Sequence, residues 1–252
     1  MAPIRKGDGT PLEIPGVQEV RTGDGRLFFE ADAIPDTAGS PINRWIMDEG
    51  EDTTFADSIG SADGSWFGGS WVADSAYSGG FGYQLNGVDD HGETNATMPS
   101  GSLTFAITVN PSSSEIAFKT LQGVFDGGSA GGRLLEFNDD EIENEPRVFV
   151  NNDNGDGFDC VSGQSISANN KHRVVGILDA SVPEVSIAID GSIVNSTSVS
   201  GSFETQLSNH KIGRRPDDAS RFLDAVVDDA LIDDQAWGEA TVQDDYNNQL
   251  WS

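Results

Sequence analysis

The chain has 252 residues, 36% of them hydrophobic, and 42 acids against 14 bases for a net charge of −28. That is enough apolar content for one large core. No apolar run comes near the roughly 20 residues that span a bilayer, and no run of bases offers nucleic acid a footing, so membrane insertion and nucleic-acid binding are both expected to be absent. The one cysteine, Cys160, excludes an internal disulfide and reads as a small buried hydrophobe.

The acids are unevenly placed. Six Asp-Asp neighbours (89/90, 139/140, 217/218, 228/229, 233/234 and 244/245) repel at contact range, and only a screening length near 3 Å, reached at about 1 M salt, quietens them. The composition therefore predicts a protein made for molar salt.

In chain order, residues 1–26 hold four bases and four acids, so this segment is neutral while the remainder carries all of the net charge. It repeats Gly-Asp-Gly at 7–9 and 23–25, carries Pro3, Pro11 and Pro15, and leads through a turn into a short strand at 26–30. Residues 1–6 are followed by Gly7-Asp8-Gly9 rather than an apolar stretch, so no signal peptide is expected. A neutral extended arm on an acidic body is what would lie against another subunit, since repulsion is least there. Residues 1–40 are expected to form an assembly arm and linker, with homo-oligomerisation, and residues 41–252 the main domain.

No Lys or Arg occurs between Trp45 and Ile116. Short apolar runs separated by Gly and Asp turns fill this stretch and continue at 103–109, 123–125, 134–137, 147–150, 173–178, 185–189 and 211–213. This pattern predicts an all-β sandwich or jelly roll. The run at 222–232 reads as a strand apolar on both parities, which suits a strand covered on both sides. Its Asp228-Asp229 doublet puts charge into that strand, and such acids need partners. A short helix is expected within 235–248.

Several stretches together resemble the concanavalin A-like, laminin-G-like domains. Arg44-Trp45-Ile46-Met47-Asp48-Glu49-Gly50 followed by Asp57-Ser58-Ile59-Gly60 is similar to the opening strand and turns of that family. Gly79-Gly80-Phe81-Gly82-Tyr83-Gln84-Leu85-Asn86-Gly87, Val185-Ser186-Ile187-Ala188-Ile189-Asp190-Gly191 and Ile212-Gly213 resemble its later elements. Val227-Asp228-Asp229-Ala230-Leu231-Ile232 and the terminal Ala236-Trp237-Gly238-Glu239 helix resemble its close. The departures are Ala225, where Gly is usual, and Gly238 in place of a capping Ser or Thr. The resemblance implies a two-sheet antiparallel jelly roll with first and last strands adjacent, and a calcium site near one rim. Asp57 and Asp228 or Asp229 match the metal-holding positions of such domains, so these three are the expected Ca2+ ligands.

Other clusters have plainer readings. Residues 152–157 mimic the start of an EF-hand loop but lack its first Asp and last Glu, and read as a hairpin turn. The alternation Glu141, Glu143, Glu145 has the spacing of glycosidase carboxylates but sits in a loop-like context. His91, His172 and His210 lack metal-ligand spacing and are expected at the surface or in turns. Sugar recognition needs an aromatic face with polar groups beside it, for which Trp66, Phe67, Trp71 and Tyr77 are the candidates. Asn95-Ala96-Thr97 and Asn195-Ser196-Thr197 are glycosylation sequons. The expected function is non-enzymatic: a structural or adhesion protein of a halophilic virion, joined to other virion subunits through its arm and able to meet host surface glycans. A cell-surface glycan-binding module is the alternative, with a glycoside hydrolase behind it.

Overall fold

A computed structural model describes residues 17–21, 27–31, 40–73, 80–113, 119–125, 131–138, 144–217 and 221–249. The chain divides into two compact units, Met1–Thr37 and Ala38–Ser252. In the first, β1 (Val17–Arg21) and β2 (Leu27–Ala31) pair as an antiparallel ribbon, with Arg21 opposite Leu27. The strand near 27–31 was legible in the sequence; its partner at 17–21 was not.

The second unit contains β3 (Pro41–Trp45), β4 (Thr54–Phe55), β5 (Gly64–Phe67), β6 (Ser70–Ala73), β7 (Phe81–Asn86) and β8 (His91–Thr94). These are followed by β9 (Leu103–Pro111), β10 (Thr120–Phe125), β11 (Gly132–Phe137), β12 (Pro146–Asn151), β13 (Gly157–Val161) and β14 (His172–Asp179). The chain closes with β15 (Glu184–Ile189), β16 (Ser192–Ser198), β17 (Lys211–Ile212), β18 (Asp224–Asp233) and the helix α1 (Glu239–Gln249). They build two antiparallel sheets. One runs β4-β5-β8-β17-β10-β11-β12-β13; the other runs β6-β7-β18-β9-β14-β15-β16, with β3 also on β18. This is the expected all-β sandwich with one short C-terminal helix.

Period-two alternation fixes which face each strand buries. On β9, Leu103, Phe105, Ile107 and Val109 enter the core between the sheets, while Ala106 on the other face packs with Val175, Leu231 and, from the C-terminal segment, Trp237 and Val242. A strand covered on both faces must be apolar on both parities, which is why β9 and β18 read as near-continuous hydrophobic runs. First and last strands are adjacent, as the resemblance implied: Trp45 lies opposite Ala230. Along one edge β18 pairs with β9; along the other it takes β7 at residues 224–227 and β3 at 230–233.

The hairpin between β12 and β13 is closed by Asn152, whose backbone N–H donates to Asp156 O at 3.0 Å and whose Oδ1 accepts from Asn154 and Asp156 N–H. Residues 152–157 are thus the turn the sequence indicated. Cys160 is fully buried, and burial pushes its thiol up.

Candidate functional site

Two of the three predicted metal ligands, Asp57 and Asp229, meet at Arg44, while Asp228 is next to Asp229 and turns to Lys171. Asp57 folds the turn after β4. Its Oδ1 accepts from the N–H of Arg44 (3.0 Å), Ile59 (3.2 Å) and Gly60 (2.8 Å), and its Oδ2 accepts from Asn43 Nδ2 (2.5 Å) and Ala62 N–H (3.0 Å). Burial pushes this carboxyl up, but the bonds from Asn43, Ala62, Arg44 and Gly60 outweigh it and hold it below its ordinary range.

Asp229 is the extra residue of a β-bulge. The register on β9 steps from Asp228 opposite Thr108 to Ala230 opposite Ile107, which turns Asp229 towards the outer face. There Arg44 grips it with both prongs, Nε to Oδ1 at 2.9 Å and Nη2 to Oδ2 at 3.1 Å. Arg173 Nη1 lies 3.5 Å from the same carboxylate and donates to the Asp229 carbonyl at 2.5 Å. The other prongs of Arg173 hold Asp245 on α1 at 2.8 and 3.2 Å. Asp228 accepts from Asp229 N–H at 2.8 Å, with Lys171 Nζ at 3.8 Å.

Calcium takes six to eight oxygens. Here the oxygens of Asp57 are taken by N–H donors and those of Asp229 by guanidinium, so the set does not fit that ion. Among the described residues no group of three His, Cys, Asp or Glu side chains is arranged to hold a metal. The cation between Asp57 and Asp229 is Arg44, through its backbone N–H on one side and its side chain on the other.

The aromatic candidates separate in the same way. Trp66 is 3% exposed and stacks on Tyr83 at 4.0 Å in the core, leaving no face for a sugar. Trp71 is half-buried, meets Tyr83 edge-on and donates its indole N–H to Asp52 O at 2.8 Å. Phe67 is 49% exposed, one residue from Trp66 on the opposite face of β5. Tyr77 lies outside the described residues.

Phe67 does not stand alone. The registers across β5, β8, β17, β10, β11 and β12 put Phe67, His91, Glu93, Lys211, Phe125, Glu136, Arg147 and Phe149 on one outer face, while Trp66, Ile212, Leu135 and Val148 point into the core. His91 stacks on Phe67 with centroids 5.0 Å apart and lies 5.9 Å from Phe222. His91 Nδ1 is 3.0 Å from Asp89 O, while Nε2 is 3.2 Å from Glu93 Oε1 and 3.3 Å from Arg214 Nη1. The neutral ring therefore accepts from Arg214, and the imidazolium donates to Glu93. Lys211 Nζ sits 2.5 Å from Glu93. Burial pushes the Glu93 carboxyl up, but Lys211 and His91 outweigh it and hold it below its usual range.

The loop from β17 to β18 supplies the rest of this face. Arg214 lies over the Phe222 ring at 5.7 Å, Arg215 over Phe125 at 4.4 Å, and Arg221 Nη1 3.7 Å from Glu136 Oε2. Glu136 is fully buried and takes both Nε (3.0 Å) and Nη2 (2.5 Å) of Arg147. Five of the chain's fourteen bases thus meet on one sheet face, beside the acids Glu93, Glu136, Asp159 and Asp217, so the face is mixed in charge. The signal was spread over positions 147, 211, 214, 215 and 221, and strand order brings it together.

Phe67 owes its position to Gly68 and Gly69, both at positive φ (76° and 74°), where the chain leaves one sheet for the other. A Cβ at Gly68 would lie 2.0 Å from Asp90 Oδ1, so a larger residue there collides as well as strains.

The histidines also differ from their expected surface places. His210 is fully buried, stacks on Trp45 at 5.1 Å and lies 3.2 Å from both Thr94 Oγ1 and Gln122 Oε1. Desolvation, with Lys211 beside it, depresses its pKa to about 3. His172 is half-buried and pairs with Asp190 at 2.8 Å. Of the alternating glutamates, Glu141 and Glu143 lie outside the described residues, and Glu145 is buried, accepting from Asn138 Nδ2 at 3.0 Å.

A family model described as Laminin_G_3, concanavalin A-like lectin/glucanases superfamily, matches residues 86–243. No curated protein sequence matches the chain. Among solved structures, one similar fold is domain 4 of AbnA, a GH43 extracellular arabinanase from Geobacillus stearothermophilus, in complex with arabinotriose. The TM-score is 0.64 at 12% identity, covering 81% of this chain and 97% of that one. Another is the botulinum neurotoxin serotype D ligand binding domain in complex with N-acetylneuraminic acid, with TM-score 0.64, 13% identity and coverage of 86% and 53%. A third is Trypanosoma rangeli sialidase, with TM-score 0.62, 12% identity and coverage of 94% and 43%. The chain spans nearly all of the arabinanase domain and about half of the toxin domain.

Proposed function

Because the chain belongs to the concanavalin A-like lectin/glucanases superfamily, we propose that it is a non-enzymatic glycan-binding protein that takes its ligand on the outer face of the sheet containing β5 and β8. The observation that carries this is the half-exposed Phe67 ring, backed by His91 and bordered by Arg214, Glu93 and Lys211. An aromatic ring with donors and acceptors at its edge suits a pyranose or furanose, whose C–H face packs on the ring while its hydroxyls reach the rim. Two of the similar folds carry sugars by their descriptions, arabinotriose in one and N-acetylneuraminic acid in the other.

The acid beside the Phe67 ring favours binding over hydrolysis. Glu93 on β8 lies three strand steps from Glu136 on β11, through β17 and β10. At about 4.8 Å per step the two are separated by roughly 14 Å, whereas glycosidase carboxylates stand about 5 to 9.5 Å apart. Asp159, the acid nearer to Glu136, shares Arg147 with it. Titration of a glycan that the wild type binds against Phe67→Ala tests the reading. Loss of binding with an unchanged fold supports it, and retained affinity overturns it. Release of reducing sugar by the wild type would assign an enzyme instead.

The reading extends to context. The acid excess and the six Asp-Asp neighbours favour work at molar salt, in a halophilic virion as a turret, tail or fibre subunit, or alternatively at a cell surface. Residues 1–40 then join copies or neighbouring subunits. A solution oligomer that dissociates when those residues are removed supports this, and a monomer in both forms counts against it.

A further inference from the structure

We infer that the ligand of this face carries an anionic group, a carboxylate or a sulfate, and that Arg214 receives it. The inference rests on the reading that the face binds glycan and specifies the glycan's chemical class. Its starting point is an imbalance within the molecule: acids outnumber bases 42 to 14, three for each, so no arginine here is short of potential counter-charges. Arg147 has Glu136 and Asp159, Arg215 has Asp217, Lys211 has Glu93, Arg221 has Glu136, and Arg44 and Arg173 share Asp229. Among the described residues no carboxylate lies within ion-pair distance of Arg214. Its neighbours are the Nε2 of His91, a hydrogen bond at 3.3 Å, and the Phe222 ring, and its Nε is buried without a hydrogen-bond partner.

Proximity to the exposed ring gives that vacancy its meaning. His91 touches both Phe67 and Arg214, so the guanidinium stands one imidazole from the exposed ring, within the span of a glycan of more than one sugar that seats a unit on Phe67. The planar fork of an arginine matches a carboxylate or sulfate with two parallel hydrogen bonds, whereas the flanking Lys211 and Arg215 have their charges met by Glu93 and Asp217. The net charge of −28 opposes such a ligand at a distance, but that repulsion is screened at about 1 M salt while a contact pair still survives. Binding therefore persists at molar KCl, unlike attachment driven by a diffuse basic surface.

The test uses the full chain in 1 M KCl and calorimetric titration with three matched pairs: trigalacturonate and its methyl ester, sialyllactose and lactose, and sulfated and unsulfated lactose. The expected result is that at least one acidic member binds tenfold or more tighter than its neutral counterpart. Arg214→Gln should reduce that ratio towards one, Arg214→Lys should restore part of it, and Phe67→Ala should lose both members. Equal affinity for acidic and neutral members in the wild type, both lost in Phe67→Ala, overturns the role of Arg214 and leaves the glycan-binding face standing. Absence of binding by all six overturns both. If Arg214→Gln instead changes the oligomeric state, its counter-charge is a carboxylate of a second copy and the glycan assignment fails.

Discussion

Arg173 and Arg214 lie on the outer faces of opposite sheets, each reaching towards side chains far away in the sequence, and they differ in what meets the charge. Arg173 is covered by the C-terminal segment, with Asp245 on two prongs, Asp229 on the third and Thr108 Oγ1 at 3.3 Å. Arg214 is bordered by a ring nitrogen and a ring face. The buried charge of Arg173 is matched on every side, and taking a partner away from such a charge costs several kcal/mol. The half-exposed arginine beside Phe67 carries no such obligation, so its partner can come from outside. One face closes the molecule, and the other is the face proposed to take a ligand.

The sharpest way to break this contrast is Asp229→Ala, which leaves Arg44 and Arg173 facing each other without their shared carboxylate. A loss of about 3 to 5 kcal/mol is expected, read by chemical denaturation in molar KCl; a loss below 1 kcal/mol would mean that the closed face is not held by this network. Next comes Asp57→Ala, which orphans four backbone N–H groups and the Asn43 amide. It should cost about 2 to 3 kcal/mol, and because those donors fill the carboxylate, CaCl2 should leave the wild-type melting temperature unmoved. A calcium-dependent rise that disappears in Asp57→Asn would falsify that account.

His210 sets a third, pH-dependent effect. Its folded pKa, about 3, lies below the ordinary value of 6.5, so the unfolded chain binds the proton more readily. Its contribution is complete above pH 6.5 and is lost as pH falls towards 3. Between pH 7 and pH 5 this amounts to about 2 kcal/mol, and His210→Gln should flatten that part of the stability profile. Smallest in stability are Phe67→Ala and Arg214→Gln on the open face, within about 0.5 kcal/mol each, although ligand titration should show large losses. If either unfolds the protein, the open face is structural and the contrast collapses.

These contrasts were unequally legible in the sequence. The alternating runs and turn residues specify strands because burying one parity of a pleated strand requires them, so β9, β11, β14, β15 and β18 could be read directly. The polar strand β16, Ser-Ile-Val-Asn-Ser-Thr-Ser, lies at a sheet edge with mostly open side chains, and its one apolar pair, Ile193-Val194, does not alternate. The need of Asp228 and Asp229 for partners was legible, but their identity was not, since Arg44 and Arg173 stand 185 and 56 residues from Asp229. Phe67 was a candidate among four aromatics, yet parity alone did not decide between it and Trp66, because alternation does not say which face of β5 is the inner one. Register with β8 decides it. His91 and Arg214, 123 residues apart, share no local pattern at all.

The position of β18 also bears on how the chain reaches this state. It is an interior strand that comes last among the strands of its domain, and β9, β7 and β3 all pair with it. Until residue 233 has left the ribosome, three strands lack the neighbour that joins them, and their open edges can pair with whatever edge is nearest. Long-range pairing of this kind slows closure. The nascent domain therefore spends most of its synthesis unjoined, and a chain halted before residue 224 would be expected to aggregate rather than fold into a smaller sandwich.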